Sequence, residues 1–391
     1  MNPSNKKNFN YNIVSLIHLS DPSLAFKECK VQIKNWKDVF ELAIKHRITT
    51  AIDNRIKILE ITLPEDLKER LSSFNKKVII RMLSFSAEIS SICEKLMECY
   101  IEVIPLKGPI ASKQIYGDFT TKNSRDIDLL IKEDQLEECI DVIEKLGYIN
   151  SYPFNSLTKK QKRAFQRSNN QLAFFHPLKK IQVEIHWRLF ANRHFLPLSF
   201  NELLNDSTKM VVGKTTINCL SNKHLLLYLC AHGSKHQWSL LYWLIEVATL
   251  TNKAAYDWKQ ILIEAIELGV ERPLVQGLIL IERIFNQPAP PVIQEHYQKN
   301  KIIQDLVETS NKIIIEDIVL SQKKIISNYL KILKYKLKIS SNIHYKLAYF
   351  KLNSINDFQL VKFPDSLFFG YFWLRPVFWF WRYIIHPIKK P

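Results

Sequence analysis

The sequence predicts an α+β protein: a central block of short strands flanked by extensive N- and C-terminal helical regions. Three observations lead there. Only 8 glycines and 16 prolines occur in 391 residues, and Ile, Leu, Lys and Glu are abundant, which favours helix over most of the chain. Apolar residues recur at helical spacing from about Ile33 to Tyr100. Between Glu102 and Trp187, by contrast, short apolar runs and period-two alternation mark strands: EVIPL at 102–106, Asp126 to Ile131, Gln171 to Phe175 and IQVEIHW at 181–187.

At 47% hydrophobic, a chain of this length can bury a substantial core. Four regions are expected: 1–100 helical, 101–200 an α/β core, 201–290 helical and packed on that core, and 291–391 basic and helical with an aromatic tail. The net charge of +17 and pI near 9.4 call for a polyanionic partner, such as nucleotide phosphates, nucleic acid, an anionic polymer or an acidic membrane surface. Six scattered cysteines, Cys29, Cys93, Cys99, Cys139, Cys219 and Cys230, form no CxxC pair and read as reduced thiols. The first residues carry Lys6 and Lys7 but no apolar run before a small-residue cleavage site, so a cytoplasmic protein is expected.

In the N-terminal region, Trp36, Val39, Phe40, Ala43 and Ile44 share one helical face, and Val78, Ile79, Met82, Leu83 and Phe85 another. Pro64 followed by Glu65 and Asp66 is a helix start, because proline suits the first turn and acids suit the positive helix end. The strand 102–106 leads into Lys107-Gly108-Pro109 and a helix from Ile110 to Tyr116. A glycine at such a turn lets phosphate oxygens approach the backbone and the first helical amides, with Lys107 adding a point charge; the same residues also serve as a plain turn.

Asp126 and Asp128 are the centre of the sequence. On a strand, side chains two residues apart point to one face roughly 6 to 7 Å apart, so both carboxylates converge while Ile127 and Leu129 face away. Hard cations such as Mg²⁺ favour carboxylate oxygens and share their coordination with substrate phosphates. A helix over Gln135 to Leu146, ended by Gly147, follows, then a polar basic stretch from Lys159 to Arg167. On the last strand Glu184 and His186 alternate with Val183, Ile185 and Trp187 and so share a face. A third carboxylate on a separate strand completes what a two-metal site needs.

From Leu203 onward the chain reads as helical again. His232 and His236 lie four apart on one helical face but lack the glutamate of a zinc HExxH motif. Two readings stand: His232 lines the cleft on the acceptor side, or the pair packs against Trp238 and Trp243. Pro288, Pro290 and Pro291 mark a break, beyond which eight lysines and no acid fall between Lys323 and Lys351. The tail from Leu367 to Ile388 is dense in Phe, Trp and Tyr. A membrane span needs about 20 unbroken apolar residues, and Arg375, Pro376 and Arg382 interrupt this one, which leaves docking on the protein body or contact with a membrane interface.

The order of these motifs resembles the uncharacterised nucleotidyltransferases of the DNA polymerase β-like superfamily. LKGPIASKQIYGDFTTKNSRDIDLLI is similar to that family's Lys-Gly turn, Tyr-bearing helix and Asp-x-Asp strand, and VEIHWRL to its acidic-His-Trp strand. HLLLYLCAHGSKHQWSLLYWLIEVATL resembles its His/Trp helix, NWKDVFELAIKHRITTAI its opening helix and FPDSLFFGYFWLRP its closing segment, so the likeness runs from about Trp36 to Pro376. The resemblance implies a small mixed sheet with Asp126, Asp128 and Glu184 as ligands of Mg²⁺, two ions being expected, and NTP as co-substrate. It departs at the phosphate turn, where Lys107-Gly108 replaces the commoner Gly-Ser. Lys122 stands where the superfamily usually has a basic residue, and Arg125 directly precedes Asp126, so both are candidates for phosphate contact. Glu246 matches a helix-borne acid of the pattern and is expected to be a structural partner.

These readings predict transfer of a nucleoside monophosphate from an NTP to an acceptor hydroxyl. Lys107, Gly108, Lys122 and Arg125 lie on the nucleotide side, and His186 and His232 on the acceptor side. The competing expectations are an inactive protein of the same fold that holds a polyanion or a biosynthetic partner, and a peripheral membrane protein held by its tail.

Overall fold

The computed structural model describes residues 3–22, 33, 35–316, 325–351 and 355–381. Cys29, Lys323, Lys324 and the tail beyond Trp381 therefore lie outside the described residues. Among the described residues four helices come first: α1 (Pro3–Ser20), α2 (Trp36–Lys45), α3 (Thr49–Ile58) and α4 (Glu65–Glu98). Asn35 caps α2 by accepting from the amides of Lys37 and Asp38, and α4 starts behind Pro64 with Glu65 and Asp66 in its first turn.

The core then runs β1 (Ile104–Pro105), α5 (Gly108–Tyr116), β2 (Ile127–Leu130), α6 (Leu136–Lys145), β3 (Ile149–Asn150), α7 (Lys159–Ser168), β4 (Gln171–His176) and β5 (Ile181–His186). These strands form one mixed sheet in the order β1-β2-β5-β4-β3. Only β2 and β5 pair in parallel, Ile127 opposite Val183 and Asp128 opposite Glu184; the other pairs are antiparallel. Ile127 and Leu129 with Val183 and Ile185 bury one face against α4 and α6. By strand alternation, Asp128, Glu184 and His186 emerge together on the other.

The expected strands and helices of this block are present; β1, β2 and β5 are shorter than expected, β4 is one residue longer, and β3 is additional. The basic stretch 159–167 is a helix, α7, opened by a capping box of Thr158 and Gln161. One expectation is corrected. The chain after Leu203 is not helical throughout: α8 (Phe200–Asn205) is followed by an antiparallel hairpin of β6 (Thr208–Val212) and β7 (Thr215–Cys219). Val211, Val212, Thr215, Thr216 and Ile217 are β-branched, and Gly213 takes φ +62° in the turn, so local preference favours a hairpin there.

Helices complete the chain: α9 (Asn222–Lys235), α10 (Leu241–Lys253), α11 (Trp258–Glu267), α12 (Glu271–Phe285), α13 (Pro291–Lys299), α14 (Lys301–Glu316), α15 (Ile325–Lys338), α16 (Ile343–Lys351), α17 (Ile355–Leu360), α18 (Gly370–Trp373) and α19 (Arg375–Phe380). A second core joins α1 to α3 with α9 through α14. The two cores meet along the polar face of the sheet. Phe358, Tyr371 and Phe378 bring the tail onto the sheet-side core. Among the described residues Cys93, Cys139, Cys219 and Cys230 are buried free thiols and Cys99 is exposed. No helix among them is long and apolar enough to cross a membrane.

Candidate functional site

Asp128 is 2% exposed, and its Oδ1 is held from two sides. Lys107 Nζ lies 3.1 Å away and His186 Nε2 3.0 Å away. Its other oxygen, Oδ2, is buried with no hydrogen-bond partner. Burial opposes the charge on Asp128, but Lys107 and then His186 outweigh it and hold the carboxyl far below the usual carboxylate range. Burial likewise works against the Lys107 ammonium, and the Asp128 carboxylate outweighs that and raises its pKa well above an ordinary lysine.

Glu184, opposite Asp128 in the register, has Oε2 3.6 Å from the same His186 nitrogen and accepts from Gln182 at 3.2 Å. One ligand atom from each of Asp128, Glu184 and His186 lies within 4.8 Å of the other two. Asp126 stands one residue ahead of β2 and is partly buried. Burial and then the Asp128 carboxylate raise its pKa, with Glu184 acting in the same sense. Three carboxylates thus repel one another around a partnerless oxygen, and a divalent cation would relieve both conditions. The residues fit the metal that the sequence implies.

His186 is less suited to be a ligand itself. Its Nδ1 faces the Asn170 amide nitrogen at 3.1 Å, and that nitrogen also donates to the carbonyls of Arg188 and Leu189 at 3.2 and 3.4 Å. This network assigns Nδ1 as acceptor and Nε2–H as donor to Asp128. Burial disfavours the imidazolium, while the hydrogen bonds to Asp128 and Glu184 act the other way and raise the pKa above that of an ordinary histidine. Buried at 3% exposure, His186 braces the acids from behind and presents no open face to an acceptor.

Gly108 begins α5 at φ +74°, a conformation that side chains other than glycine rarely adopt. The two cationic candidates ahead of Asp126 separate clearly. Lys122 Nζ lies 2.6 Å from Glu246 Oε1 on α10, with both side chains buried, and its backbone amide donates to Ser112 Oγ. It is committed to the scaffold, and Glu246 is its partner. Arg125 is exposed, and its charge together with that of Arg47 lowers Arg81, after burial as the largest cause.

Two cations of the cleft went unread in the sequence. Arg47, in the turn between α2 and α3 at φ +58°, lies near enough to Asp126 to lower its pKa against the stronger opposing effects, and packs over the Tyr242 ring at 5.7 Å. No sequence pattern points to it. Lys235, in the last turn of α9, is pushed down to about 8, first by burial, then by Lys107 and Lys336, while Glu184 acts in the opposite sense. It lies three residues after His232 on the predicted cleft face, which is the signal that could have found it. Its position depends on Gly233, where a Cβ would meet the Trp238 ring at 2.5 Å; the buried Trp238 folds back over the helix there. His232 packs with His236 and Trp243, ring centroids 4.8 and 5.6 Å apart, and burial followed by Lys107 lowers its pKa well below an ordinary histidine.

The site so defined is an acidic cluster on two parallel strands, bordered by Lys107 from the turn before α5, Arg47 from the turn between α2 and α3, and Lys235 from α9. The model for uncharacterised nucleotidyltransferases matches residues 33–286, and the chain belongs to that family. Among solved structures, an antigenic nucleotidyltransferase-like protein from Paracoccidioides brasiliensis is similar at 13% identity and a TM-score of 0.33, covering 52% of this chain and 92% of its own. No curated protein matches.

Proposed function

We propose that the chain transfers a nucleoside monophosphate from an NTP to a hydroxyl of an acceptor. The acceptor oxygen forms a bond to the α-phosphorus, the bond from that phosphorus to the α–β bridging oxygen breaks, pyrophosphate leaves and the hydroxyl proton passes to Glu184 or solvent. The observation that carries this reading is the facing pair Asp128 and Glu184, with one Asp128 oxygen partnerless and the other held by Lys107.

Asp126, Asp128 and Glu184 would hold Mg²⁺, as two ions. Bound there, the metal neutralises phosphate charge and lowers the pKa of the attacking hydroxyl. His186 orients Asp128, and Asn170 orients His186. Lys107, Arg125, Arg47 and Lys235 supply positive charge for the phosphates, the Gly108 backbone leaves them room, and His232 lies toward the acceptor.

Thermal unfolding with Mg²⁺ and each NTP tests this. A ligand at 100 times its Kd stabilises by about 2.7 kcal/mol. Stabilisation that needs metal and nucleotide together and disappears in Asp128→Asn is expected. No shift with any nucleotide, or the same shift in the variant, would contradict it.

A further inference from the structure

We infer that the face formed by α7, the loop at 191–194 and the segment 365–381 docks on an anionic membrane surface. A cavity of about 760 Å³ opens there, away from the acidic cluster, with Lys160, Arg163, Arg167 and Arg193 at its walls. Arg163, Arg167 and Arg193 are exposed. The one acid in the lining, Asp365, is already engaged: it accepts from the Thr158 hydroxyl and the Lys160 amide, and Lys160 Nζ donates to its carbonyl at 3.0 Å. With Lys160, Arg163, Arg167 and Arg193 against this one carboxylate, the concavity carries a net positive charge suited to a phosphate headgroup.

Beside it the chain exposes apolar surface that nothing in the fold requires to be outside. Phe369 is 62% exposed, Phe372 69% and Trp373 73%, with Leu367, Val377 and Phe380 exposed around them. This surface is held in place from beneath. Tyr371 and Phe378 are buried in the sheet-side core, and the Tyr371 hydroxyl donates to the Val361 carbonyl at 2.6 Å and accepts from Gln161 at 3.0 Å. One side of the segment is thus fixed to the body while the other projects aromatic and aliphatic groups.

Aromatic rings beside basic residues suit the headgroup region, where an apolar ring enters the acyl boundary and cations meet lipid phosphate. A basic groove with aromatics would also fit single-stranded nucleic acid. Leu367 and Val377 decide against it, because bases stack on rings and not on branched aliphatic chains, whereas acyl chains accept both.

Sedimentation of the full chain with phosphatidylcholine vesicles, and with vesicles containing phosphatidylglycerol, tests the inference independently of whether the acidic site turns over. Wild type should bind the anionic vesicles and leave the neutral ones largely unbound. Arg163→Glu with Arg167→Glu, and separately Phe372→Ser with Trp373→Ser, should each lower anionic-vesicle binding about tenfold or more. These side chains are exposed, so unchanged thermal unfolding of each variant identifies the loss as one of docking. Equal binding to both vesicle types, no binding at all, or full binding by folded variants would overturn the inference. So would tight binding of polyuridylate through the same residues without vesicle binding, which would assign the face to nucleic acid.

Discussion

Lys107 Nζ sits 3.1 Å from Asp128 Oδ1, while Oδ2 of the same carboxylate is buried without a partner. One oxygen is neutralised by the chain, and under the proposed function the other meets the metal. Lys107→Met should therefore destabilise the protein by about 2 kcal/mol in EDTA, since a mostly buried charge loses its counter-charge. Mg²⁺ should restore much of that loss. Urea unfolding with and without Mg²⁺ reads both effects, and an equal loss in the two conditions would separate Lys107 from the metal.

The ion pair of Lys122 and Glu246 lies out of solvent, where removing one partner leaves the other uncompensated. Burial already raises Glu246 above the usual glutamate value despite Lys122. Lys122→Met should cost about 3–5 kcal/mol, and adding Glu246→Leu should recover most of it. A denaturant double-mutant cycle measures the coupling; a single variant as stable as wild type would return Lys122 to the nucleotide side.

Lys235 titrates at about 8 in the folded protein against 10.5 ordinarily. Below 8 it is charged in both folded and unfolded chains and its burial costs stability in full. Between 8 and 10.5 the unfolded chain holds the extra proton, so this residue makes stability rise with pH. Nucleotide affinity should run the other way, weakening as the ammonium discharges above 8. Lys235→Met should flatten both dependences and weaken NTP binding about tenfold at neutral pH. Unfolding and binding titrations across that range check the signs, and an unchanged pH profile in the variant would remove Lys235 from the site.

Asn170 fixes the His186 ring through Nδ1, and His186 fixes Asp128. Asn170→Ala should lower Mg²⁺ affinity about 10- to 100-fold, the usual cost of losing a partner that orients a ligand. Isothermal titration with Mg²⁺ reads it directly, and unaltered affinity would show that Asp128 needs no such bracing.

Much of this site was legible because strand alternation is a local rule. Asp128 and Glu184, with Ile127, Leu129, Val183 and Ile185 turned the other way, follow from period two alone. The likeness to the nucleotidyltransferases carried the mixed sheet. What stayed hidden depends on contacts distant in sequence. Nothing local separates Lys122 from Arg125 until α10 brings Glu246 to one of them, and Arg47 reaches the cleft only because the two cores meet. His186 read as an open polar residue because alternation gives its face and not its depth. The β6–β7 hairpin was missed although its β-branched residues and Gly213 signal it, because the helical pattern on either side is long and strong.

The central claim is that Asp128 belongs to a site that moves the α-phosphoryl group with its nucleoside. Parallel incubations of wild type and Asp128→Asn with Mg²⁺, host extract and each NTP, labelled at the α-phosphate in one set and the γ-phosphate in the other, test it most directly. The prediction is an acceptor that gains label from the α-phosphate and none from the γ-phosphate, with wild type only. Label arriving from the γ-phosphate, or α-label arriving equally with the variant, would contradict it.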